Sequence, residues 1–139
     1  MNQRAVPAII EDFLESGPYA VVGASTDRAK YGNKVFRAYA QSGRDAWPIN
    51  PRAETVEGQP AFASLADLPA TPRGISIITP PKVTEKVVEE AADLGVEFVW
   101  MQPGAESDAA VEKARQRGLE VIADGSCFLV AVGYHESDA

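Results

Sequence analysis

An α/β fold built on a doubly wound parallel sheet is what this 139-residue sequence predicts. Two observations carry the prediction. Short apolar segments alternate with amphipathic ones, and three times the chain runs helix, glycine, strand. The strand segments are nearly continuous in apolar residues, as expected when both faces of a parallel sheet are covered.

The elements follow in order. Pro7-Ala8-Ile9-Ile10-Glu11-Asp12-Phe13-Leu14, with Val6, has apolar residues at helical spacing, and Pro7 suits a first turn. Gly17-Pro18 breaks that helix, and Tyr19-Ala20-Val21-Val22 reads as a buried strand. A loop from Gly23 leads into a helix starting near Gly32, with Val35, Phe36, Tyr39 and Ala40 on one face and Gly43 as its cap. Ala46-Trp47-Pro48-Ile49 is a short strand in which Pro48 interrupts any central ladder. Residues 53 to 73 are less regular, with a short strand near Thr55-Val56 and a helical turn between Ser64 and Leu68. Ile75-Ser76-Ile77-Ile78 is a strand, Lys82 to Leu94 a helix, Val96 to Met101 a strand, 106 to 117 a helix and Leu119 to Ile122 the last strand. The expected arrangement is Rossmann-like, with five parallel strands ordered 3-2-1-4-5. The expected organisation is one domain over residues 1–139, with an N-terminal helix in 1–17 packed on it and a polar tail at 133–139.

Composition limits the function. Apolar residues make up 45% and charged residues 24%, an ordinary globular balance, and no apolar run approaches the length that spans a bilayer. Met1-Asn2-Gln3-Arg4 has no apolar stretch of the signal-peptide kind. Cys127 is the only cysteine, so no internal disulfide is available. These features predict a cytoplasmic protein with no membrane role. The net charge of −7 argues against nucleic acid as a partner. The charge is uneven, however: the stretch from Gly23 to Arg52 has six basic and two acidic residues, net +4, and the rest of the chain carries −11. A basic island in an acidic chain suggests a local anion site.

In a doubly wound sheet, ligands lie outside the carboxyl strand ends, where the strand order reverses. The first such loop is Gly23-Ala24-Ser25-Thr26-Asp27-Arg28-Ala29-Lys30-Tyr31-Gly32-Asn33. Its glycines permit a sharp turn and an open helix start, where bare amides and the helix dipole favour phosphate. Ser25 and Thr26 add hydroxyls, and Lys30 or Lys34 adds charge. The G-x-G-x-x-G fingerprint is absent. After the second strand, Asn50-Pro51-Arg52 stands where an NAD site carries an acidic residue. A guanidinium there suits a ribose phosphate, which both NADP and coenzyme A carry. Thr79-Pro80-Pro81 and Gln102-Pro103-Gly104 are short and rigid enough to wall a cleft.

These strings, with Pro48-Ile49-Asn50-Pro51, Ser64-Leu65-Ala66-Asp67-Leu68-Pro69, Trp100-Met101-Gln102-Pro103-Gly104 and Asp124-Gly125-Ser126-Cys127, resemble the CoA-binding domain family. That family consists of stand-alone relatives of the nucleotide-binding half of the succinyl-CoA synthetase alpha subunit. The resemblance runs from about Tyr19 to Cys127. It implies coenzyme A or acyl-CoA as ligand, with Gly23, Ala24, Ser25 and Thr26 at the diphosphate and Gly32, Asn33 and Lys34 at the helix start. It further implies Arg52 as the cation after Asn50-Pro51, with Pro80 and Pro81 beside the nucleotide. Met101, Gln102 and Pro103 match the loop after the fourth strand. The family often has one residue between its Asp and Cys, and here two separate Asp124 from Cys127.

The sequence offers no evident catalytic machinery. The phosphate-carrying histidine of succinyl-CoA synthetase comes from a further domain, and His135, the only histidine, lies in the polar tail. Cys127 beside Phe128-Leu129-Val130 reads as a buried, inert thiol, and Asp124 as a turn cap. No metal-ligand spacing is present. The expected function is CoA or acyl-CoA binding with an unidentified protein partner possible. The alternatives are an NADP-dependent oxidoreductase and a CoA-binding subunit of an acyl-CoA synthetase.

Overall fold

A computed structural model describes residues 4–136. Strands β1 (Tyr19–Val22), β2 (Ala46–Ile49), β5 (Gly74–Ile77), β6 (Phe98–Met101) and β7 (Glu120–Ile122) form one sheet, and all four neighbouring pairs are parallel. Between β2 and β5 lie a two-stranded hairpin, β3 (Thr55–Val56) with β4 (Gln59–Pro60), and a 3-10 turn at Leu65–Asp67. Helices α1 (Val6–Leu14), α2 (Tyr31–Gln41), α3 (Pro81–Leu94), α4 (Asp108–Gln116) and α5 (Phe128–Ala131) complete the chain.

Alternation along each strand sorts the core into two layers. Ala20, Val22, Ile75, Ile77, Val99 and Met101 face α3 and α4, where Val88, Ala91, Ala110 and Ala114 meet them. Tyr19, Val21, Phe98 and Trp100 face α1, α2 and α5. Phe13 of α1 is the hub of that second layer, with its ring 5.2 Å from both Tyr19 and Trp100. Gly74 makes room for it, because a Cβ there would stand 2.8 Å from the Phe13 ring. Trp100 and Phe98 are therefore core residues.

The strand order differs from the expected 3-2-1-4-5. Counting the five strands in chain order, the sheet runs 2-1-3-4-5, so the third strand, β5, pairs with β1 rather than lying outside β2. The outer edge of β2 explains this. Pro48 presents no N–H there, and its carbonyl accepts from Phe62 N–H at 3.0 Å while Asn50 N–H donates to Phe62 O at 2.9 Å. A single bridging residue thus closes an edge that a full strand would need, and the chain crosses back over β1. The segment at Thr55-Val56 is a strand of the separate hairpin. In this order the direction of winding reverses between β1 and β5, which puts the ligand crevice at the loops after Val22 and Ile77.

Candidate functional site

Two glycines shape the loop after β1. Gly23 has φ +99°, and a Cβ there would lie 2.6 Å from the Ile78 carbonyl of the loop after β5. Gly32, in the first turn of α2, would bring a Cβ to 2.1 Å from the Gly23 carbonyl. Only bare glycine lets the helix start close on the loop this tightly. Asn33, fully buried, locks the approach: its Nδ2 donates to Ser25 O at 2.8 Å and its Oδ1 accepts from Arg37 Nε at 2.7 Å.

The loop satisfies part of its own backbone. Asp27 N–H donates to Ser25 Oγ, and Ala29 N–H to Asp27 Oδ1. Lys30, at the N-cap of α2, supplies no side-chain cap. The N–H groups of Ala24, Ser25 and Thr26, and of Tyr31 and Gly32 at the helix start, have no acceptor among the described residues. Unpartnered amides beside a helix N-terminus favour an anion.

Asn50 joins the second loop to the first. Its Nδ2 donates to Ala24 O and its Oδ1 accepts Arg52 N–H, each at 2.8 Å, which carries Pro51 and Arg52 into the same corner. Arg52 and Lys30 are exposed and form no ion pair among the described residues. Of the island's other cations, Arg44 donates to Leu14 O at 3.0 Å and three pair with carboxylates. Arg28 lies 3.3 Å from Glu57, while Lys34 and Arg37 lie 3.5 and 3.1 Å from Glu136. Hydrogen bonding from Tyr134, with the Arg37 charge beside it, holds the Glu136 carboxyl below its usual pKa. His135 is exposed on this terminal segment, tied through its backbone to the Gln41 side chain.

Glu57 also stands at this corner, beside Arg28, and the loop strings alone did not single it out. Glu57 sits at the tip of the β3–β4 hairpin with φ +50°, a left-handed conformation that costs an L residue roughly 1 kcal/mol. Its carboxylate accepts from Asn33 Nδ2 at 2.9 Å in addition to its contact with Arg28. Glu57 followed by Gly58, two residues between the short segments Thr55-Val56 and Gln59-Pro60, is the available hairpin signal.

The loops after β5 and β6 divide into exposed and buried parts. Pro80, Pro81 and Pro103 are exposed, and Thr79 is half-buried with its hydroxyl 2.8 Å from that of buried Thr84. Met101 is a fully buried core residue, not part of a cleft wall. Gln102 is also fully buried: its Oε1 accepts from Tyr31 O–H at 2.9 Å and from Phe128 N–H at 2.8 Å, while its Nε2 has no partner among the described residues. Cys127 is half-buried rather than buried, 2.7 Å from the Tyr31 hydroxyl. Burial, then the contact with Cys127, raises the Tyr31 pKa above its ordinary value. Asp124 accepts from Ser126 N–H at 3.0 Å and closes the turn before α5; hydrogen bonds from Ser126 hold its carboxyl low.

A concavity of about 1180 Å3 is not centred on the switch point. It runs along α2 and the edge of β2, lined by Trp47, Arg37, Arg44 and Tyr134, and meets the first loop only at Arg28 and the hairpin tip at Glu57. A smaller one of about 560 Å3 lies between α4 and the end of β7. Among the described residues no helix is long and apolar enough to cross a membrane.

The fold has counterparts among solved structures. A hypothetical protein from Pyrococcus horikoshii OT3 superposes with TM-score 0.85 at 28% identity, covering 94% of this chain and 93% of that one. A conserved hypothetical protein from Pyrococcus furiosus gives TM-score 0.77 at 35% identity, covering 81% and 97%. The alpha subunit of ADP-forming acetate–CoA ligase II from Pyrococcus furiosus is 30% identical over a 125-residue alignment that covers 82% of this chain and 27% of that subunit. The chain thus spans about a quarter of that relative's length. Residues 17–132 match the family described as CoA binding domain, which takes in every loop of the crevice. On that match, the chain belongs to the CoA-binding domain family.

Proposed function

We propose that this chain binds coenzyme A or an acyl-CoA at the β1–β5 switch point and is a binding module without chemistry of its own. The observation that carries the reading is the set of unpartnered amides at Ala24, Ser25, Thr26, Tyr31 and Gly32, closed around Gly23. They would hold the diphosphate, with Lys30 supplying charge. Arg52, exposed and with its backbone N–H held by the same Asn50 side chain that binds Ala24 O, would take the ribose phosphate. Thr79, Pro80, Pro81, Pro103 and Pro51 are the surfaces left for the rest of the ligand. Asn33, Asn50 and Gln102 serve as the frame, because their side chains already bind the loops together. Lys34 is drawn to Glu136. When bound, the coenzyme would supply a thiol or thioester; the chain's residues bind and orient it.

A second reading, the CoA-binding subunit of an acyl-CoA synthetase with a separate protein partner, is favoured by the likeness to a ligase alpha subunit. Calorimetric titration tests the shared claim. CoA should bind about tenfold tighter than dephospho-CoA, the weight of one charge-assisted contact. NADP should bind weakly and NAD not at all. Tighter binding of NADP than of CoA would instead support the NADP-dependent oxidoreductase.

A further inference from the structure

The basic island carries its own counter-anion at the diphosphate corner. The Glu57 carboxylate reaches from the hairpin tip to Arg28 and Asn33, 3.3 and 2.9 Å away. Both partners belong to the first loop and the helix it leads into, beside the unpartnered amides of Ala24, Ser25 and Thr26. The backbone at Glu57 holds a left-handed conformation, with Gly58 following at φ +78°, so the hairpin turn fixes this side chain at the loop. The Glu57 side chain is only about a quarter exposed, against two thirds for Arg28. The carboxylate is thus the more enclosed member of the pair.

We infer that Glu57 is an affinity- and specificity-setting residue of the anion site: a resident carboxylate that competes with a ligand's diphosphate for Arg28. The inference rests on the coenzyme reading for the identity of the ligand but not for the presence of an anion site. An arriving diphosphate either displaces Glu57 from Arg28 or sits beside a like charge. Both outcomes weaken binding of polyanions, and both disappear when the carboxylate is made neutral. Asn33 retains an acceptor if that neutral group is a carboxamide.

The test compares the unmodified chain with Glu57→Gln, titrated with CoA, dephospho-CoA and inorganic pyrophosphate. At low ionic strength the variant should bind all three about fivefold tighter, and the gain should shrink toward parity near 1 M salt, where the screening length falls to about 3 Å. Glu57→Asn, which suits the left-handed turn and is too short to reach Arg28, should reproduce the gain. Unchanged or weaker binding in both variants would overturn the inference, and a gain confined to CoA would overturn the assignment to the diphosphate. If the unmodified chain binds pyrophosphate but not CoA, the coenzyme reading fails, and the pyrophosphate arm still decides the role of Glu57.

Discussion

Gly32→Ala should weaken CoA binding by at least about tenfold and lower the melting temperature by several degrees. The new Cβ would stand 2.1 Å from the Gly23 carbonyl oxygen, 3.2 Å from its carbon and 3.5 Å from Ser25 N. All three are backbone atoms, so no side chain can swing aside. The helix start must retreat from the loop, at a cost of about 1–3 kcal/mol for overpacking. Gly23 cannot yield in return, since it is itself pressed against Ile78 O and Ile78 N–H donates to Val22 O at 2.7 Å. Retreat separates the amides of Tyr31 and Gly32 from those of Ala24 to Thr26. A site that depends on their convergence then loses most of its affinity. Thermal melting and titration on the same sample would show both effects. A variant that melts and binds like the parent would mean the contact is relieved elsewhere.

Arg52→Glu should cut CoA affinity between about tenfold and a hundredfold while leaving dephospho-CoA nearly unaffected. Removing a charge-assisted contact costs about 1.5–3 kcal/mol, and the introduced carboxylate adds repulsion. Folding should barely respond, because Arg52 is exposed and its link to the structure is the backbone N–H donated to Asn50 Oδ1. The melting temperature should stay within about a degree or two, as for surface substitutions in general. Equal losses for CoA and dephospho-CoA would place Arg52 away from the ribose phosphate. A large drop in melting temperature would make it a structural residue.

Much of the fold was legible because burial is written locally. Val21-Val22 and Phe98 to Met101 are apolar on both faces, which is what a sheet covered twice demands, and Ile75 and Ile77 are apolar on one while buried Ser76 meets the Tyr39 hydroxyl on the other. The strand order was not legible, since it turns on Phe62 capping the edge of β2, a pairing no periodicity reveals. The site divides in the same way. Gly23 and Gly32 announced themselves by position after a strand and at a helix start. Asn33, Asn50 and Gln102 looked like ligand contacts, and only their partners show them to be ties between loops. Met101 ends a strand yet points into the core. Glu57 and Glu136 reach the basic island from outside it, so the net +4 of that stretch overstates the free charge at the crevice.

Coenzyme binding as proposed requires the amides closed around Gly23 to hold a diphosphate. Backbone amide chemical shifts of the full chain, recorded by NMR as CoA is added, test it most directly. Saturable changes should concentrate at Gly23 to Thr26, Tyr31 and Gly32, with smaller ones at Arg52. Changes confined to the groove along β2, at Trp47, Arg44 and Tyr134, with the first loop unmoved, would contradict it.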